Sequence, residues 1–482
     1  MNIILQKYQK ELKNFLFDEI SLYISDLTMD FINNLFVSDN KYINLINSLT
    51  KKVRGIIKLI IIKTIDFFNE KFINDDYRRG KWHINIRKDP RSINIAGIGQ
   101  LDFTRTYFEK ADGSEYLYFI DELFGFEKRV RYDCITRATA IDLAMKTNQK
   151  LAGEILNDNT SIPIDENYNI PRQTIYSWIN KWHIPIIKYE PIIFEGDTLY
   201  IMGDEKWIHE QIKLNEDNKK HYIMSKEFVC FTGIKNEKKR RILENRFIFM
   251  TASSSPWTEF LDFVTQIYDF EKINKIVFLS DAGKWLTSGA PDLKLYSQNK
   301  VVMCLCEFHA KQKINRITTN KDLRIELSGY LDNNQKKKFI KAIKKIKDNI
   351  KNEDRLKKIE EYEKYITSNW KKIQNMNKSK CKSSMESHIS HYTAAYFASR
   401  PKAYSRNNIQ KYVKLQEAKN NGLDIKTLYL KTYNNEDEEY TLTEKELNFS
   451  MFEKSSSLNI PIIESGIDNS IYRALYALSH QF

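Results

Sequence analysis

Apolar residues recur every three or four positions through residues 1 to about 80, the spacing that sets one stripe of a helix against a core. The most apolar part, 55-GIIKLIIIKTIDFF-68, is interrupted by Lys58 and Lys63. It is too short to span a bilayer and reads as a buried helix. The pattern breaks at 77-YRRGKWHINIRKDPR-91, a basic patch holding Gly80 and Pro90. Two β-rich runs, LDFTRTYF and EYLYFI, then flank Ala111-Asp112-Gly113-Ser114. Asp-Gly between such runs predicts a hairpin.

Helical spacing returns over residues 134–183. Helices are expected at Thr136–Met145, at Gln149–Leu156 and along 171-PRQTIYSWINKW-182, where Pro171 suits a first turn. In the third, Ile175, Trp178, Ile179 and Trp182 form one apolar face, leaving Arg172, Gln173, Ser177 and Lys181 outward. This is the layout of a helix-turn-helix recognition helix, whose polar side chains reach base edges and phosphates. A plain helical hairpin with a solvated outer face has the same pattern.

After Pro191 the texture becomes mixed. Strands are expected at 198–204, 227–234, 246–252, 274–281 and 300–306, with a helix over about 256–269, which together suggest an α/β sheet. A lysine-rich helical stretch follows. In 336-KKKFIKAIKKIKDNI-350 the residues Phe339, Ile343, Ile346 and Ile350 keep helical spacing and lysines fill most of the rest. Such a face is either solvated or laid along a phosphate backbone. A last helix is expected to stop before Pro401. These shifts divide the chain into a helical N-terminal region (1–85), a β-hairpin segment (86–130), a helix-turn-helix segment (131–190), the first part of an α/β core (191–306), a helical insertion (307–380), and a second part of the core with a C-terminal tail (381–482).

The composition, 42% hydrophobic and 13% aromatic with nine prolines and fifteen glycines, supports a sizeable core and argues against a disordered or fibrous chain. A formal charge of +13 points to a polyanionic partner, nucleic acid first. The wealth of Lys, Asn and Ile is also what an AT-rich genome produces. Five scattered cysteines fit a reducing cytoplasm better than a disulfide scaffold. The first residues lack the apolar core and cleavage site of a signal peptide, and no membrane partner is expected.

Candidate chemistry begins at 277-VFLSDAGKWLTSGA-290. A phosphate-binding loop needs Gly five residues before its Gly-Lys pair and Ser or Thr after the Lys. Phe278 and Trp285 occupy those positions, which excludes it. Asp281 remains, at the end of an apolar strand, and alone it reads as a turn or cap. However, 200-YIMGDEKWIHEQ-211 repeats the arrangement with Asp204 after Gly203. The adjacent Glu205 points to the other face of an extended chain. Carboxylates on neighbouring strands can hold a pair of Mg²⁺ ions about 4 Å apart, as two-metal phosphodiester chemistry requires. Glu386, on the later helix, is the candidate third acid.

With these residues in place the sequence resembles the DDE transposases of the Mutator-like superfamily, and most of all the Lre-type insertion-sequence transposases of low-GC bacteria. The resemblance covers roughly residues 95–410. The segment 121-DELFGFEKRVR-131 is similar to that family's DELLGL segment, and SDAGKWL to its GDGAxWI motif. Phe308-His309 matches its FH, and 386-ESHISHYTAAYFASRP-401 its EGHVSHxLSSRxSSRP. Ser280 and Ala282 stand where the family often has Gly, Ser387 replaces a Gly, and Tyr404 a usual Trp. The resemblance implies an RNase H-like catalytic core with a helical insertion before its third acid. It also implies a DNA transposase that cleaves element ends and transfers strands. Asp204, Asp281 and Glu386 would be catalytic and would hold two Mg²⁺ or Mn²⁺ ions. The implied partners are double-stranded DNA, as element ends and target, and further copies of the chain in a dimer or larger multimer. The implied location is the cytoplasm, at the nucleoid. A catalytically silent, transposase-derived DNA-binding regulator is the competing expectation.

Other residues carry weaker signals. Cys306 and His309 form a C-x-x-H pair, but zinc needs four ligands, so His309 is expected to pack or to position substrate. His388 and His391 lie three apart and are expected to share a helix face, His388 supporting the active site or simply satisfied in the core. Arg400 and Lys402 suit DNA phosphates or an ordinary helix C-terminus. Trp207 and Trp285, flanking the two aspartates, suit base stacking or packing.

Overall fold

The computed structural model describes residues 11–17, 20–21, 23–26, 28–29, 32, 41–158, 170–193, 196–211, 221–237, 240–296, 300–379, 384–398, 402–433 and 439–442. The chain is a mixed α/β protein and divides into two compact units. One comprises Met1–His183 with Lys426–Asn434, the other Ile184–Ile425 with Asn435–Phe482.

In the first unit, strands β1 (Trp82–Ile95), β2 (Gly99–Lys110) and β3 (Tyr116–Tyr118) form an antiparallel sheet in that order. The Asp-Gly turn is present: Gly113 has φ 71° and the Ser114 N–H donates to Asp112 Oδ1 at 2.9 Å. The basic patch, expected as a break, is instead most of β1. Its Pro90 is tolerated because β1 is a sheet edge, where a missing donor costs no ladder bond. Pairing slips between Ile84 and Asp89 just before it. The run EYLYFI gives only a short strand before turning into helix Phe119–Phe124. There Asp121 takes Arg91 at 2.6 Å and also pairs with Arg105, tying the DELFGF segment to both long strands.

Helix Lys41–Asn74 contains the apolar run 55–68, but that run is not buried throughout. Ile65, Phe68 and Phe72 lie on one face and pack with Leu101, Phe103 and Phe108 of β2, while Ile57 is exposed.

Helices Cys134–Lys146, Gln149–Asp158 and Arg172–Lys181 pack against one another; residues 159–169, between the last two, lie outside the described residues. Ile175, Ile179 and Trp182 are buried, and half-buried Trp178 packs edge-on against Tyr132. Arg172, Gln173 and Lys181 are exposed and Ser177 is half-buried. Hairpin and helices belong to one unit rather than two. Trp182 Nε1–H donates to Thr432 Oγ1 at 3.1 Å and its ring meets Tyr429. Helix Ile425–Thr432, expected with the core, therefore completes this unit.

The second unit begins with β4 (Ile186–Tyr189), paired in parallel with β12 (Glu439–Leu442). Its main sheet uses β5 (Thr198–His209), β6 (Tyr222–Phe231), β9 (Phe247–Thr251), β10 (Lys275–Ser280) and β11 (Lys300–Leu305), ordered β11-β10-β5-β6-β9. β5, β6 and β9 are successively antiparallel, and β10 and β11 run parallel to β5. Residues 232–234, expected to extend β6, instead bend into a separate hairpin of β7 (Gly233–Glu237) and β8 (Arg240–Glu244). Helix Pro256–Ile267 covers one face, with Phe260 stacked on Phe228.

The insertion forms five helices among the described residues, Glu307–Ile317, Lys321–Asp332, Lys336–Asp348, Glu353–Ser368 and Trp370–Ser379. They close around their own core of Leu327, Phe339, Ile343, Ile359, Ile366 and Trp370. No helix among the described residues is long and apolar enough to cross a membrane.

Candidate active site

Strand register builds the site. β5 and β10 pair Gly203 with Ser280, and β10 and β11 pair Ser280 with Leu305. The next residues, Asp204, Asp281 and Cys306, therefore emerge at one level on three adjacent parallel strands. The Cys306 N–H donates to Ser280 O at 2.9 Å, fixing the start of helix Glu307–Ile317 beside Asp281. Gly203 lets Leu286 pack close to β5, where an added Cβ would lie 2.6 Å from Leu286 Cδ2.

Asp281 is held in a tight turn. Its Oδ1 accepts the Gly283 N–H at 2.7 Å, and Ala282 between them adopts φ 65°, a left-handed conformation that favours glycine. The Asp281 carbonyl accepts the Tyr365 hydroxyl at 2.5 Å, from the insertion helix Glu353–Ser368.

Asp204 is only 9% exposed and accepts the Glu205 N–H at 2.8 Å. Burial, with the charges of Asp281, Glu386 and Glu205, pushes its pKa up to about 7 against that one hydrogen bond. Glu205 lies on the other face, as expected, where it accepts the Trp285 indole N–H. Trp285 packs edge-on against Phe228, while Trp207 is exposed.

Glu386, on helix Met385–His388, places Oε1 3.2 Å from His309 Nε2. Donor atoms of Asp204, Asp281 and His309 all lie within 4.8 Å of one another. Burial disfavours protonation of His309, but Cys306, Asp281 and Glu386 outweigh it and raise its pKa. Among the described residues no Lys or Arg forms an ion pair with Asp204, Asp281 or Glu386. Three carboxylates with one imidazole, and no Lys or Arg paired with them among the described residues, fit a divalent cation.

The other expected residues lie elsewhere. His388 is buried, its Nδ1 3.0 Å from Ser384 O, and burial lowers its pKa. His391 is exposed. A π-helical turn, Ile389–Ala394, follows His388, and the His391 charge still reaches His388, adding to the lowering that burial causes. Lys402 donates to Tyr396 O at 2.7 Å and sits over the Tyr396 ring, as an ordinary helix-end cation. Arg400 lies outside the described residues. Arg172, Gln173, Ser177 and Lys181 belong to the first unit.

Two neighbours were missed. Tyr365 is one of two tyrosines in a polar helix, with nothing local to distinguish it. Glu227 faces Asp204 across the β5–β6 ladder and accepts the Thr393 hydroxyl from the π turn. Its signal was a carboxylate at a buried position of the strand YIMSKEFVCF.

The profile of UPF0236, described as an uncharacterised protein family, matches residues 39–434. Similar proteins occur in Caldanaerobacter subterraneus subsp. tengcongensis. UPF0236 protein TTE0610/TTE0881/TTE1053/TTE2432 is 24% identical over 449 residues, spanning 90% of this chain and 90% of its own length. UPF0236 protein TTE1650/TTE2708 is 24% identical over 449 residues, 90% of this chain and 86% of its own. A third, named for eleven loci, is 24% identical over 448 residues and 90% of each chain. No solved structure matches.

Proposed function

The chain belongs to the UPF0236 family, and we propose that it is a metal-dependent DNA transposase with an RNase H-like catalytic core. The observation that carries the reading is the convergence of Asp204, Asp281 and Glu386 around His309, from a first strand, a fourth strand and a helix beyond the insertion. The sheet order supports it. Numbered along the chain, the five strands run 5-4-1-2-3, with the first three antiparallel and the last two parallel to the first, an order shared by RNase H-like folds. A relative named for eleven loci of one genome also fits a gene that multiplies by moving.

In this reading Asp204 and Asp281 are the paired ligands of Mg²⁺ or Mn²⁺, and Glu386 completes the set. Two such ions, when bound, activate water or a 3′-hydroxyl and stabilise the leaving oxygen. The turn at Asp281 fixes its carboxylate before substrate arrives, so little reorganisation is left to the reaction. Arg172, Gln173 and Lys181 supply phosphate and base-edge contacts. The exposed lysines of helix Lys336–Asp348 add a sequence-independent attraction that weakens with salt. The protein would act in the cytoplasm at the nucleoid, as a dimer or larger multimer bridging two ends.

The test is cleavage and joining of DNA taken from both flanks of the gene, labelled and mixed with target plasmid and Mg²⁺ or Mn²⁺, beside Asp281→Asn. Wild type should cut and join, and the variant should not. Joining that survives in Asp281→Asn would sink the site. Tight binding of the flanks with no cutting by wild type would favour the silent regulator.

A further inference from the structure

We propose that His309 is itself a ligand of the ion shared by Asp204 and Asp281, which makes this position a mixed nitrogen–oxygen site preferring Mn²⁺ or a later transition metal over Mg²⁺. The proposal rests on the reading of the acids as a metal centre and adds a residue that the three-acid expectation leaves out.

Distance is the first argument. Ligand atoms about 2.1 Å from one ion lie at most about 4.2 Å apart. The three donors, within 4.8 Å of one another, already stand within about 0.6 Å of that range.

Rigidity is the second. His309 stands in the first turn of helix Glu307–Ile317, whose start is bonded to Ser280 O and whose Ala310, Ile314 and Ile317 are buried. The backbone beside Asp281 thus also fixes where the imidazole stands.

Coordination chemistry is the third. Nε2 faces Glu386 Oε1 at 3.2 Å, while Nδ1 is buried and the ring hydrogen-bonds the Cys306 side chain. Metal-binding imidazoles usually engage a carboxylate as well, which fixes ring orientation and tautomer. Glu386 is placed for that service or for direct ligation. Imidazole favours metals later in the first-row series, whereas Mg²⁺ favours an all-oxygen shell.

The experiment uses the untagged full chain loaded with Mn²⁺ and pulsed electron paramagnetic resonance, which detects nitrogen bound directly to manganese. Wild type should show an imidazole ¹⁴N coupling that changes to the ¹⁵N pattern when the eight histidines alone are ¹⁵N-labelled. The coupling should vanish in His309→Gln. In calorimetry the Mn²⁺ affinity should fall by about tenfold or more in the variant, and the Mg²⁺ affinity by less, because Mg²⁺ gains less from an imidazole. Should His309→Gln fail to fold, His309→Asn supplies the same comparison, and Mn²⁺ bound through oxygen only in the labelled wild type still overturns the proposal. Mn²⁺ bound through oxygen only, or nitrogen coupling that persists in His309→Gln, overturns the role of His309 and leaves the acid centre standing. A wild type that binds no divalent ion overturns both.

Discussion

Glu227 is fully buried one strand from Asp204, and burial raises its pKa from 4.5 to about 7, with the Asp204 charge adding to the effect. The folded chain therefore keeps a proton that the unfolded chain releases. The resulting stability is present below pH 4.5 and is lost as the pH rises through about 7. Glu227→Gln, which cannot ionise and can still accept from Thr393, should melt near wild type at pH 5 and several degrees higher at pH 8. Equal melting temperatures at pH 8 would mean that Glu227 is uncharged or compensated there. Residues differed in how far the sequence revealed them. Asp204 and Asp281 were legible because each ends an apolar run, and Glu386 because a long ordered motif surrounds it. The placement of His309 within the acid cluster was not legible, because a two-residue C-x-x-H pair says nothing about what faces it. The same holds for the left-handed conformation of Ala282, where Gly would suit φ 65° better.

Elements were legible where their period was clean. All five strands of the main sheet and the helix between the third and fourth were expected close to where they lie. β1 was missed because Pro90 and its basic neighbours hide an edge strand's alternation. The π turn after His388 was missed because sequence spacing assumes a regular helix. The insertion was legible as helical, but its link to the acids was not. Helix Glu353–Ser368 reaches the Asp281 carbonyl through a single hydroxyl on Tyr365. Tyr365→Phe removes that donor and should cost about 1–2 kcal/mol in a denaturant titration. It should weaken Mn²⁺ binding by about 10-fold or more while leaving helix content by circular dichroism unchanged. Unaltered Mn²⁺ affinity would show that the insertion does not position Asp281.

The whole molecule has two units with separate cores, and the acids all lie in one of them. Calorimetry should therefore resolve two transitions, only one of which responds to metal. At about 100 times its dissociation constant a divalent ion stabilises its unit by about 2.7 kcal/mol. That transition should rise with Mn²⁺ and fall back with chelator, and Asp204→Asn should abolish the response. A joint shift of both transitions would contradict independent units. The first unit's closing helix was illegible in sequence because its partner Trp182 lies so far back along the chain. The chain path also sets a timetable for synthesis. Residues 1–183 leave the ribosome first, yet Trp182 meets Tyr429 and Thr432 only after residues 184–425 have been made. At about 5–20 residues per second that wait is roughly ten to fifty seconds. The unit begun first is thus the one finished late, and a nascent chain released before residue 426 leaves the helix bearing Arg172 and Lys181 without its closing partner.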